Sequence, residues 1–154
     1  MNIRNLIALS LFMNTMLPAY AGVTVTDAWI KVTAPGQTAA EAYMYIKSDT
    51  PARLVGVSSP AAKIAQIHEM RMNGNVMQMR TIHSLDLPAG KTLQFKPDGY
   101  HIMLAEISPP LKPGVAIPLT LIVEGSDMQR RSIDVKAEAR GAMTMEKKGN
   151  MQGM

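Results

Sequence analysis

The chain has 154 residues, a formal net charge of +4 and no cysteine. The missing thiolate excludes blue-copper electron transfer, iron–sulfur clusters and thiol redox chemistry. The basic residues are scattered rather than striped, which excludes the clustered face a nucleic-acid binder presents.

The first element is an export signal. Arg4 gives a positive start, Leu6 to Phe12 is apolar, and Ala19-Tyr20-Ala21 is an A-x-A cleavage signature. The apolar run is too short for a membrane span of ~20 residues. Residues 1–21 are therefore expected to be removed. The mature chain is expected to be exported, without stable membrane insertion and, lacking a cysteine at the cleavage point, without a lipid-anchor signal.

Residues 22–136 read as one domain with one core. Turn signals recur throughout: Pro35-Gly36, Pro51, Pro60, Asn73-Gly74, Pro88-Ala89-Gly90, Pro97-Asp98-Gly99, Pro109-Pro110, Pro113-Gly114 and Gly125-Ser126-Asp127. The runs between them have strand length and β-branched or aromatic content. Strands are expected near Val23–Val32, Ala40–Ile46, Arg53–Val57, Lys63–Met72, Val76–Ile82, Thr92–Phe95, His101–Ile107, Leu119–Val123 and Ser132–Val135. Only Ala61–Ile67 offers a competing short helix. The expected class is all-β, a Greek-key sandwich or barrel. From Ala137 to Met154 the composition turns to Gly, Lys, Glu and Met, and 137–154 is expected to be a flexible tail.

The stretch from Ile67 to Arg80 reads as a hairpin. Asn-Gly is a strong two-residue turn signal. With Asn73-Gly74 as the turn, His68 faces Met79 and Met70 faces Met77. With a four-residue loop from Asn73 to Val76, Met70 faces Met79 instead. Either register puts His68, Met70, Met72, Met77 and Met79 on one face and Glu69, Arg71, Gln78 and Arg80 on the other. Farther along, His101 and Met103 are two apart in a strand and so share a face.

Two imidazoles and two thioethers form a soft, neutral donor set. Soft ligands select Cu(I), whereas Mg, Ca and Mn prefer oxygen and structural zinc prefers Cys and His. Neutral donors leave the ion's charge uncompensated, which favours exchange over storage. Both imidazoles must be deprotonated at the liganding nitrogen, so affinity should fall in acid.

Other residues get plainer readings. His83 lacks a Met partner of matching parity and is assigned to the surface or core, Met44 and Trp29 to the core. Met70, Met72 and Met77 are read as a hydrophobic rim or docking surface. In the tail, Met143, Met145, Met151 and Met154 are candidates for an auxiliary weak copper tether. No nucleophile–base pair or phosphate loop is present, so the protein is not expected to be an enzyme.

The pattern His68-x10-Met79-x21-His101-x-Met103 resembles the signature of the periplasmic copper chaperones called PCuAC. The stretches Asp27-Ala28-Trp29, Arg53 to Pro60, His68-Glu69-Met70 and Pro97 to Leu104 are also similar to that family. The resemblance implies a cupredoxin-like β-sandwich that binds Cu(I) through those four residues. It also implies delivery in the periplasm to an acceptor such as the CuA domain of cytochrome c oxidase, or to another copper chaperone. Many members carry a His- and Met-rich extension; here the tail has Met but no His. The rival readings are a copper-tolerance buffer, a metal-free interaction module and a copper oxidase, the last disfavoured by the missing Cys and the few His.

Overall fold

In the computed structural model, residues 22–32 and 34–141 are described. The expected signal segment and Met143, Met145, Met151 and Met154 lie outside the described residues.

The described residues form ten strands: β1 (Val23–Lys31), β2 (Ala40–Ser48), β3 (Ala52–Ser58), β4 (Ala62–Asn73), β5 (Val76–Ile82), β6 (Leu85–Leu87), β7 (Thr92–Gln94), β8 (Tyr100–Ile107), β9 (Ala116–Gly125) and β10 (Arg130–Arg140). Their order across the sheet is β5-β4-β8-β2-β1-β10-β9-β3-β6, with β7 paired to β2. The β1–β10 pairing is parallel; the others are antiparallel. The sheet curls into a sandwich that is not closed into a barrel, so the expected all-β, cupredoxin-like class holds.

Two-residue alternation builds the core. In β2, Ala40, Ala42, Met44 and Ile46 are buried, while Tyr45 and Lys47 are exposed. In β9, Ile117, Leu119, Leu121 and Val123 point inward in the same way, and Ile102 and Leu104 do so in β8. Each of the Leu, Ile, Val and Met side chains contributes roughly 1.5–3 kcal/mol on leaving water. The alternation also sends His101 and Met103 to the outer face.

Four details depart from expectation. Leu85-Asp86-Leu87 forms β6, a run too short to stand out in the sequence. β9 begins at Ala116, earlier than its β-branched content signals. β10 continues through Ala137, Glu138, Ala139 and Arg140, because it is held between β9 and β1, so these residues belong to the sheet rather than to the expected tail. Trp29 is not a core residue: it is half-buried on the outer face, packed on Tyr43 with centroids 4.7 Å apart and beneath the Arg140 guanidinium at 5.7 Å. Met44, by contrast, is in the core as expected.

Candidate metal site

The hairpin of β4 and β5 turns at Gly74-Asn75, not Asn73-Gly74. Asn73 pairs with Val76, and Gly74 has φ +61°. A positive φ at the first central residue followed by an ordinary one is the pattern of a type II′ turn, which takes Gly first. The register is therefore the second of the two expected: Met70 faces Met79, Met72 faces Met77, and His68 faces Thr81. The physical reason lies in the pairs this creates. Ile67 meets Ile82 on the core side, and Glu69 meets Arg80, which binds it at 2.9 Å. The other register would set Arg80 against Ile67. Matched cross-strand pairs of this kind are each worth ~0.2–1 kcal/mol.

On its other side β4 pairs with β8, and His68 faces His101 directly. Their rings meet edge to face, with centroids 5.5 Å apart and planes at 79°. The same register sets Met103 opposite Gln66. The two imidazoles thus come together at the centre of the outer face. Met79 and Met103 do not sit opposite either of them. Each is a diagonal neighbour of His68, Met79 towards the hairpin turn and Met103 away from it. A diagonal separation of ~7–8 Å is within reach of a long, flexible thioether. Met79 is half exposed, and Met72 and Met77 line the outer rim with it. Met70, two residues from His68 on the same strand and directly opposite Met79, shares the face of the imidazole pair. His83 is exposed beyond β5.

The imidazoles are buried, His68 at 7% and His101 at 1% exposure. His68 Nε2 lies 3.2 Å from Gln66 Oε1 and 3.2 Å from Thr81 Oγ1. A carbonyl oxygen only accepts, so we assign the hydrogen to Nε2, leaving a lone pair on Nδ1. Among the described residues that Nδ1 has no partner, and neither has either nitrogen of His101. A buried polar atom without a partner costs about 1–3 kcal/mol, so three on two facing rings call for a ligand. Burial holds the His68 pKa below its usual 6.5; a charge on His101 would lower it further, and Glu41 opposes the shift. The neutral, metal-ready imidazole is therefore favoured.

Gln66, Thr81, Glu41 and Tyr43 complete the surroundings and were not singled out from the sequence. Gln66 and Thr81 fix the His68 ring, as the outer hydrogen-bond partners of metal-binding histidines do. Parity with His68 marks Gln66, and the correct register would have marked Thr81. Nothing local marks Glu41. Beside Met103 and Glu41 a cleft of about 480 Å³ opens, lined also by Lys31, Gln37 and Thr38. Among the described residues, no three of His, Cys, Asp and Glu gather as a metal-holding group. The soft donors nearest the imidazole pair along the strands are the thioethers of Met70, Met79 and Met103.

Residues 23–139 match the family described as "Putative lipoprotein LpqE-like". The "Putative lipoprotein Lxx21020" of Leifsonia xyli subsp. xyli (strain CTCB07) is 34% identical over 116 residues, covering 75% of this chain and 70% of that protein. The solution structure of Cu(I)-bound DR1885 from Deinococcus radiodurans is 33% identical, with a TM-score of 0.62, over 79% of this chain and 81% of that one. The copper-bound PCuAC domain from PmoF2 superposes with a TM-score of 0.63 over 79% of this chain and 95% of that one. At 24% identity, that likeness bears on the fold.

Proposed function

The chain belongs to the LpqE-like family, and we propose that it is an exported copper carrier holding one Cu(I) ion on the outer face of its sheet. His68 and His101 supply two nitrogens, Met79 and Met103 two sulfurs. The observation that carries this reading is the facing pair of buried imidazoles with three unpartnered nitrogens. A likeness to a structure solved with Cu(I) supports the choice of ion, and soft thioethers favour the reduced state.

Copper is cargo in this account, and the residues hold it and release it. His68 Nδ1 is aimed by the contacts of Nε2 with Gln66 and Thr81. The His101 ring is shielded from water by its neighbours. The thioethers are the labile donors, because Met79 reaches solvent and Met103 borders the cleft. An acceptor's sulfur or imidazole entering there would replace one thioether as it leaves. No bond cleavage and no redox step are needed. The acceptor we propose is a periplasmic copper protein such as the CuA domain of cytochrome c oxidase. Removal of residues 1–21 during export, an independent domain running from residue 22 to the end of β10 at Arg140, and a following tail whose Met residues tether copper weakly belong to the same proposal.

An anaerobic competition titration against a chromophoric Cu(I) chelator tests the site. One equivalent bound by the wild type and lost in His101→Ala supports it; equal binding by the variant overturns it. Mixing loaded protein with apo CuA domain tests delivery. Transfer within minutes supports a carrier, and retention of the metal supports a buffer.

A further inference from the structure

Four neutral donors leave the charge of a bound Cu(I) uncompensated, and the outer face carries a carboxylate one row from the imidazoles. Glu41 on β2 pairs with Met103 on β8, which makes it a diagonal neighbour of His101 at ~7–8 Å. It is only half-buried, but its partner is not: the phenol of Tyr43, 1% exposed, donates a hydrogen bond to Glu41 Oε2. Burial, and then Glu41 itself, push the Tyr43 pKa well above the usual range, so the phenol stays a donor. Lys31 is the cross-strand neighbour of Glu41 on β1, yet the polar contact of Glu41 is with Tyr43. The negative charge is therefore held in place, and among the described residues no ion pair neutralises it.

We propose that Glu41, fixed by Tyr43, is the counter-charge of the metal site, strengthening the binding of a monovalent soft cation through space without ligating it. The inference rests on the copper-site reading above. Its through-space character follows from the absence, among the described residues, of a His–carboxylate group close enough to share an ion. Charges separated by two or three strand positions in a half-wet setting interact by roughly three- to thirtyfold in a binding constant.

The test is anaerobic Cu(I) affinity, with Ag(I) as a second +1 probe, at about 0.02 M and about 0.5 M salt. Glu41→Gln should weaken binding of both ions roughly three- to thirtyfold at low salt, and the gap should narrow at high salt. Glu41→Asp should restore most of the loss. Lys31→Gln, which removes a nearby positive charge without adding a thioether, should tighten binding at low salt. A folding defect would not produce that opposite sign, so this variant decides the matter should Glu41→Gln fold poorly. Equal affinities of wild type, Glu41→Gln and Lys31→Gln at low salt would overturn the inference while leaving the site intact. If the wild type binds neither ion, the site reading itself fails and the inference falls with it.

Discussion

His68 on β4 and His101 on β8 face each other across the sheet, their centroids 5.5 Å apart, each buried with at least one nitrogen that no group among the described residues satisfies. In the apoprotein this arrangement is a cost. His101→Leu keeps a similar volume and removes two unpartnered nitrogens. It should raise the unfolding free energy of the apoprotein by about 1 kcal/mol. The same variant should lose the stabilisation that Cu(I) gives the wild type by binding the folded state. Denaturant unfolding with and without Cu(I) checks both halves, and a less stable apo variant would contradict the first.

The register makes Met70 and Met79 rivals, because they face each other beside the imidazole pair. If Met79 is the ligand, Met79→Ala should weaken Cu(I) binding by at least about tenfold. That is the lower end of what even an outer partner of a metal ligand contributes. Met70→Ala should cost less than about threefold, as expected of a rim residue. Chelator competition on the two variants measures the difference, and the reverse ranking would move the sulfur ligand from β5 to β4.

Acid should weaken binding late. The proton and the ion compete for His68 Nδ1, and burial holds the pKa of this histidine below 6.5. Above that lowered pKa the imidazole is already neutral, so affinity near pH 6.5 should stay close to its value at pH 7.5. It should fall as pH drops through the lowered pKa. The apoprotein follows the same linkage. Below pH 6.5 the unfolded chain binds the proton that folded His68 refuses, so stability falls until the lowered pKa is passed and then levels. Affinities across a pH series, with histidine titration by NMR, give the two curves.

The turn has its own test. Gly74 sits at φ +61°, and a Cβ there would meet nothing within 4 Å, so the cost of Gly74→Ala is one of backbone strain alone. It should be about 1 kcal/mol. Asn73→Ala, at a strand position, should cost less than about 0.5 kcal/mol, chiefly through its exposed contact with Gln78. A turn at Asn73-Gly74 would penalise both. Urea unfolding of the two variants distinguishes the cases.

The strands were legible because Pro and Gly punctuate them and their apolar residues alternate. The shared face of His68, Met70 and Met79 was legible because both registers preserve parity. The choice between the registers turned on Ile67 meeting Ile82 and Glu69 meeting Arg80, pairs present in the string but weaker signals than the Asn-Gly turn. The meeting of His68 with His101 had no local sign. Between them the chain forms β5, β6 and β7 before β8 returns to β4, and only the whole sheet brings that about. Glu41 and Tyr43 were silent for the same reason: β2 is far from β8 in sequence and adjacent in space.

X-ray absorption at the copper edge of the anaerobically loaded protein tests the central claim most directly. The account predicts a Cu(I) edge with two imidazole nitrogens and two thioether sulfurs around the ion, and one sulfur fewer in Met79→Ala. A spectrum with nitrogen and oxygen neighbours but no sulfur would contradict it.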